Sequence, residues 1–150
     1  MARKLSNEAK RFTEMARRSL KQSRAVELMG FEVEIVEKGR AVLRVDARPD
    51  HKQLHGVVHG GVLAALADTA AAMAAYTAAP RGTAIATIEL KINYLRPVPG
   101  GRIRAHARVL RAGRNFIVAE CEILDEKGVL AAKALLTFGA AGGHSLRKQQ

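Results

Sequence analysis

One carboxylate stands alone in a long apolar stretch near the middle of the sequence. The stretch begins with His59-Gly60-Gly61 and continues mainly as alanine and leucine, and Asp68 is its only charged residue before Arg81. An unpaired carboxylate in apolar surroundings is costly, so it needs either a polar partner or an opening to a pocket. Asp68 is therefore the first candidate for a chemical role.

Gly60 and Gly61 supply a second chemical feature at the start of the same stretch. The first N–H groups of a helix have no partner within it and lie at the positive end of its dipole, and glycine lets a ligand approach them closely. Such a place favours a developing negative charge, for example on the oxygen of an attacked carbonyl. A carbonyl polariser combined with the carboxylate of Asp68 indicates acyl transfer or hydrolysis.

The spacing of these two features predicts a dimer. Gly60 and Asp68 are eight residues apart, which is about 12 Å along a helix. They cannot both touch one carbonyl from the same helix. In a two-fold dimer with antiparallel helices, Gly60 of one chain would face Asp68 of the other. The sequence therefore predicts a shared site and an obligatory dimer.

The elements that position these residues follow from the apolar pattern. Residues 59–79 have helical composition and end at Pro80-Arg81-Gly82. Short, turn-forming links join most of the predicted strands, which favours antiparallel neighbours. Because the helix is apolar nearly all round, a sheet must enclose it. We expect an α+β domain in which a curved antiparallel sheet wraps one long helix, with six strands at 31–37, 40–47, 83–96, 102–111, 115–124 and 129–138.

The fourth and fifth predicted strands alternate apolar and charged residues. When their apolar faces are aligned, the pattern predicts that His106 pairs with Glu120 and Arg104 with Glu122. Cys121 falls on the inward face, where it is expected to be inert filling. The arginines on the outward face are read as a solvated or oligomer-contact face, with phosphate binding as the alternative.

The formal charge of +11 is concentrated at the N-terminus. Residues 1–24 carry eight basic side chains against two acidic ones, so the remainder is only mildly basic and suits a small anionic ligand better than nucleic acid. We expect residues 1–24 to be a basic helical segment docked on the domain, 25–138 the main domain and 139–150 a disordered tail. A membrane-surface or nucleic-acid role is the alternative for the helix, whose apolar stripe is Leu5, Ala9, Phe12, Ala16 and Leu20.

Several other classes of protein are disfavoured. A single cysteine excludes an internal disulfide framework and makes a cytoplasmic location the expectation. No apolar run looks clean enough to span a bilayer. The four serines lie outside the predicted core, which argues against a serine hydrolase. A metal site built from His51, His55 and His59 is not favoured, since no further ligand completes it.

A longer pattern resembles a known family. The chain is similar to the hot-dog-fold acyl-CoA thioesterases, specifically their PaaI-like branch, over residues 28–138. The resemblance is carried by the pattern Gly56-x-x-His59-Gly60-Gly61-x-x-x-x-Leu66-x-Asp68-x-Ala70 and the four strands after it. The spacing from His-Gly-Gly to Asp is its specific element.

The resemblance implies roles for individual residues. Asp68 would be the nucleophile or general base, and the Gly60 amide of the partner subunit would polarise the thioester carbonyl. His59 and Gln53 would hold the thioester end, although family members commonly have Asn where Gln53 stands. Thr87 matches a position where relatives place a hydroxyl near the reacting centre.

The resemblance also implies the ligand and the assembly. The substrate would be an acyl-CoA, with no cofactor beyond the CoA it carries, and dimers would pair into a dimer of dimers. Substrate-binding candidates are Gly61 and, for the CoA phosphates, Arg96, Arg111 and Arg114. A non-catalytic acyl-CoA sensor is the alternative function, mildly favoured by the basic N-terminal segment. A hydratase of the same fold is a third option, but the differently placed histidine that it would need is not seen.

Overall fold

A computed structural model of the chain describes residues 5–142. Their helices and strands agree with the prediction to within a few residues at most ends, and one short α-helix and one 3₁₀ helix were not anticipated. The α-helices are α1 (Asn7–Lys21), α2 (Arg24–Met29) and α3 (Gly60–Ala78), and a 3₁₀ helix spans Pro49–His51. The strands are β1 (Glu32–Glu37), β2 (Arg40–Asp46), β3 (Thr83–Tyr94), β4 (Arg102–Ala112), β5 (Phe116–Leu124) and β6 (Leu130–Gly142).

The six strands form one antiparallel sheet in the order β1-β2-β4-β5-β6-β3. The prediction that short links join neighbouring strands is wrong for β3 and β4. β3 pairs with β6 at the far edge of the sheet, and the link 95–101 returns the chain to β4, about 14 Å away at the usual strand spacing. Val58 N–H donates to the carbonyl of Val98 within this link, so the link is anchored on the loop before α3.

Helix α3 packs one face on the sheet and leaves the other open. Its buried residues are Leu63, Leu66, Ala67, Ala70, Ala71, Ala74 and Ala75. By length and composition alone α3 could cross a membrane, contrary to the sequence-based expectation, but these burials mark it as the core helix of the domain. The remaining face is half-buried or exposed, so a single copy of the chain encloses α3 only in part.

The register of β4 and β5 differs from the prediction, while the faces agree with it. His106 lies opposite Glu122 rather than Glu120, and Arg104 lies opposite Leu124. The connecting turn lies further along the chain than expected and β4 contains a bulge at Leu110, and together they shift the pairing by two residues. An even shift keeps every side chain on its predicted face. Cys121 is fully buried, and burial raises the pKa of its thiol to about 12.

Helix α1 lies along β1, the strand at one edge of the sheet, as the docked-helix interpretation predicts. Thr13 was not in the predicted stripe, yet it is buried there, and its hydroxyl accepts the N–H of Val36 at 2.9 Å. Arg17 Nε donates to the carbonyl of Val33 at 3.3 Å. These contacts satisfy backbone groups on the outer side of β1 that would otherwise be free.

Two further boundaries depart from the predicted organisation. Helix α2 starts with Ser23 as its N-cap and ends at Gly30, whose φ of 68° places it in the left-handed region. Strand β6 continues to Gly142, so the first four residues of the predicted tail belong to the sheet. The rest of that tail, 143–150, lies outside the described residues.

Candidate active site

The start of α3 presents one backbone N–H that has no acceptor. His59 is the N-cap of the helix, and its Nδ1 accepts the N–H of Gly61 at 2.8 Å. The N–H groups of Val62 and Leu63 both reach the carbonyl of His59. Within residues 5–142, no hydrogen bond is formed by the N–H of Gly60. This N–H is therefore available to a ligand at the positive end of the helix.

Tyr94, at the end of β3, closes one side of this position. Its hydroxyl donates to the carbonyl of Gly60 at 2.7 Å. A Cβ on Gly60 would lie only 2.9 Å from Cζ of the Tyr94 ring, so the contact requires glycine. Partial burial raises the pKa of Tyr94 above its ordinary value, which keeps the hydroxyl protonated. Sequence reasoning missed Tyr94, because its partner lies 34 residues away along the chain.

Asp68 projects from the middle of α3 toward β3. Its side chain is half-buried, and its Oδ1 accepts the hydroxyl of Thr87 at 2.8 Å. A bulge in β3 follows Thr87, between Thr87 and Glu89. No lysine, arginine or histidine in the described part of the chain forms an ion pair with Asp68. The structure thus brings together Asp68 and Thr87, two of the predicted site residues, and places no cationic partner on the Asp68 carboxylate within the described residues.

The two halves of the predicted site stay apart within one chain. Gly60 and Asp68 are both on α3, about 12 Å from one another along its axis. Gly60 faces Tyr94 at the end of β3, whereas Asp68 faces Thr87 nearer the middle of that strand. A single carbonyl could therefore touch only one of them in an isolated chain.

The loop before α3 contains Gln53, one of the residues expected to hold the thioester end. Its Oε1 accepts the N–H of His55 at 2.7 Å, so the side chain closes its own loop. His51 in the same loop is buried, and its carbonyl accepts the N–H of His59 at 2.8 Å. Nε2 of His51 has no hydrogen-bond partner in the described structure. Between residues 5 and 142, no three potential metal ligands cluster together.

An apolar cavity of about 360 Å³ opens beside Gly60. It is walled by Leu63, Tyr94 and the link after β3, and Arg96 lies at its rim. The other two predicted phosphate ligands are elsewhere. Arg111 is near the end of β4 and Arg114 follows it in the turn to β5, at the end of the sheet where β3 starts rather than where it ends.

The sequence is similar to known thioesterases. Residues 55–132 match the family model described as "Thioesterase superfamily". The proofreading thioesterase EntH of Klebsiella pneumoniae is 39% identical over 88 residues, covering 59% of this chain and 63% of that protein. The medium/long-chain acyl-CoA thioesterase YigI of Salmonella typhimurium is 30% identical over 125 residues, covering 73% of this chain and 81% of that protein.

The overall structure is also similar to a solved one. The PaaI protein of the Escherichia coli phenylacetic acid degradation operon superposes with a TM-score of 0.83 at 25% identity. The similar region covers 91% of this chain and 98% of that one. This likeness confirms the predicted architecture of a long helix against a curved antiparallel sheet of six strands, with an added N-terminal helix.

Proposed function

The chain belongs to the thioesterase superfamily, in the PaaI-like branch of the hot-dog fold, and we propose that it hydrolyses an acyl-CoA to the free acid and CoA. The thioesterases among its relatives support thioester hydrolysis as the class of reaction. The CoA substrate and the roles of individual residues are the proposed part. The observation that carries them is the half-buried carboxylate of Asp68, which has a hydroxyl partner at 2.8 Å but no cation to neutralise it.

Asp68 acts on the thioester carbonyl in one of two ways. As a general base, it takes a proton from water while the water oxygen attacks the carbonyl carbon; the C–S bond then breaks, and the proton passes to the leaving thiolate. As a nucleophile, its free oxygen attacks and expels the thiolate, and water then hydrolyses the mixed anhydride. In both routes the hydroxyl of Thr87 holds Oδ1, which leaves Oδ2 to face the attacking water in the first route and the carbonyl carbon in the second.

The Gly60 N–H stabilises the oxygen of the attacked carbonyl. Negative charge develops on that oxygen as the carbonyl carbon becomes tetrahedral, and an oriented backbone N–H at a helix start is suited to hold it. His59 holds the thioester end beside it. Gly61 contributes by its lack of a side chain, since a Cβ there would lie 2.9 Å from Nδ1 of His59.

A second copy of the chain is needed to complete this site. Two features support such a dimer: the face of α3 that the sheet leaves uncovered, and the edge of β3, which has no neighbouring strand in the described chain. Antiparallel packing of two α3 helices offsets them so that Gly60 of one copy meets Asp68 of the other. Two equivalent sites result, each sharing residues of both chains, and a pairing of dimers into tetramers remains our expectation.

The same arrangement gives a role to the scattered arginines. Arg96 lies near the start of α3, beside Gly60, and Arg111 and Arg114 lie at the opposite end of the sheet. Antiparallel packing would bring opposite ends of the two chains together. Cationic side chains from both copies are thereby available for the CoA phosphates. Gln53 closes its own loop, so we assign it a supporting role for that loop's shape.

The test is a CoA-release screen with aryl-, short-, medium- and long-chain acyl-CoA substrates. Asp68→Asn preserves the size and the Thr87 contact while it removes the charge, and we expect kcat to fall about 100-fold or more. Glu8→Gln removes a carboxylate in the first turn of α1 as a matched control. Turnover that survives in Asp68→Asn would refute the role of Asp68. Acyl-CoA binding without any turnover in the unaltered chain would favour the sensor instead.

A further inference from the structure

Two hydrogen bonds, linked by one peptide unit, connect Tyr94 to His59 at the start of α3. The hydroxyl of Tyr94 donates to the carbonyl of Gly60, and the N–H of Gly61 donates to Nδ1 of His59. The carbonyl of Gly60 and the N–H of Gly61 belong to one peptide unit. Both ends of that unit are therefore held by side chains, one from β3 and one from the N-cap.

This chain of bonds has a consequence for the imidazole of His59. A neutral imidazole carries one proton, and the nitrogen that accepts a hydrogen bond cannot hold it. Because Nδ1 accepts from Gly61 at 2.8 Å, the proton lies on Nε2. The His59 side chain is exposed, so this Nε2–H is open to a ligand next to the unpaired N–H of Gly60.

We propose that Tyr94 is a positioning residue that, through the Gly60–Gly61 peptide, fixes His59 as the Nε2–H tautomer. The carbonyl oxygen of the thioester then meets two donors, the Gly60 N–H and His59 Nε2–H. The inference rests on the proposed function for its effect on rate, but the tautomer itself does not depend on that function.

Two physical arguments make Tyr94 more than a packing neighbour. A hydrogen bond to a peptide carbonyl polarises the peptide, so it strengthens the bond that the N–H on the other side donates. The Tyr94 ring also lies so close to Gly60 that a Cβ there would be 3.1 Å from its hydroxyl oxygen. The ring thus limits rotation of the peptide plane, and the N–H of Gly61 stays directed at Nδ1.

The first experiment measures the tautomer directly in the full chain, by ¹⁵N NMR of the histidine imidazoles. We expect His59 to show a protonated Nε2 and an unprotonated, hydrogen-bonded Nδ1. In Tyr94→Phe the ring remains but the donor is lost, and we expect the His59 signals to move toward a mixture of tautomers. A proton on Nδ1 in the unaltered chain, or identical His59 signals in both proteins, would overturn the inference.

The second experiment is a double-mutant cycle on acyl-CoA hydrolysis. Asn at position 59 keeps an oxygen that can cap Gly61, as Asn commonly does at a helix start, but it lacks the Nε2–H. We expect Tyr94→Phe to lower kcat about five- to tenfold in the unaltered chain, with KM changed less than about twofold. In the His59→Asn background the same substitution should cost less than about twofold.

A structural role alone predicts a different pattern. If Tyr94 only supported the fold or the assembly, its loss would lower activity by the same factor in both backgrounds. Equal factors would refute the proposal that Tyr94 acts through His59. Failure of the proposed function is distinguishable: if no thioester were hydrolysed, the NMR result would still decide the tautomer.

Discussion

The two edges of the sheet are built in opposite ways. At the β1 edge, α1 lies alongside the strand, and Thr13 and Arg17 bond to its outward backbone groups. At the β3 edge no element of the described chain covers the strand, and Ile88 and Tyr94 are each more than half exposed. An uncovered strand edge is a template for pairing with another chain, and proteins usually protect it.

The difference shows where stability and function are placed. At the β1 edge the Thr13 contact is buried and the Arg17 contact is partly buried, and both join α1 to the edge strand, so they serve the fold. Those at the β3 edge, Thr87 to Asp68 and Tyr94 to Gly60, join the strand to the residues proposed for catalysis. An edge left open for a second copy can complete a site that one chain holds only in halves.

The largest expected effect comes from placing a charge on the open edge. Ile88 is 59% exposed at the bulge of β3. Ile88→Lys would bury a charge in the proposed interface, so we expect dimer dissociation to increase at least tenfold and activity to fall at low protein concentration. Sedimentation measured alongside activity over a dilution series would check this.

The matched control is Leu28→Lys on α2, on the side of the molecule where α1 covers the sheet. Leu28 is 76% exposed, more than Ile88, and it should tolerate the charge with no change in assembly. If both variants changed dimer dissociation equally, the β3 edge would not be the dimer interface.

Removing the hydroxyl at the covered edge should cost stability and leave catalysis alone. Thr13→Val strands the buried N–H of Val36 without its acceptor, so we expect the free energy of unfolding to fall by about 1–3 kcal/mol. Urea unfolding would measure the loss. Thr13→Ser keeps the hydroxyl and should lose about 1 kcal/mol or less. If Thr13→Val lowered kcat under conditions where the variant is fully folded, the β1 edge would also affect catalysis, and the proposed division between the two edges would be wrong.

A smaller effect is expected from acid. Burial, assisted by the charge of Arg48, lowers the pKa of His51. The unfolded chain protonates this residue near its ordinary pKa of about 6.5, and the folded chain only at lower pH. Below about pH 6.5 the unfolded state therefore binds more protons, and the free energy of unfolding decreases by up to about 1.4 kcal/mol per pH unit.

Unfolding measured between pH 7.5 and 5, a window set by that ordinary pKa, would check the contribution of His51. His51→Phe cannot titrate, so its stability should decrease less steeply with acid than that of the unaltered chain. His55→Gln removes an exposed histidine of the same loop and should preserve the steep decrease. Parallel curves for the unaltered chain and His51→Phe would show that His51 contributes nothing.

Most of the fold could be predicted from the sequence because its apolar pattern is strong and local. The alternation in β4 and β5 fixed which side chains face α3, and an even register shift cannot change that. The position of β3 at the far edge could not be predicted, since its pairing with β6 depends on contacts between distant residues. The bulge at Leu110 was likewise hidden, because nothing in the local sequence requires it.

The candidate site was predictable in its residue types and less so in its contacts. The isolated charge of Asp68 and the paired glycines are visible in the sequence, and the family resemblance supplied Thr87. The cap formed by His59 and the hydrogen bond from Tyr94 are visible only in three dimensions. For Gln53, the match to the family pattern gave no sign that its side chain also hydrogen-bonds within its own loop.

The most direct test of a site shared between two chains is complementation between two inactive variants. Asp68→Asn lacks the carboxylate, and Gly60→Ala displaces Tyr94 and the polarising peptide, so each should be nearly inactive alone. If the chains exchange at random, half of the dimers are mixed and one of their two sites is intact, so activity should recover to roughly a quarter of that of the unaltered protein. If each site lay within a single chain, every site in the mixture would carry a defect and no activity would return.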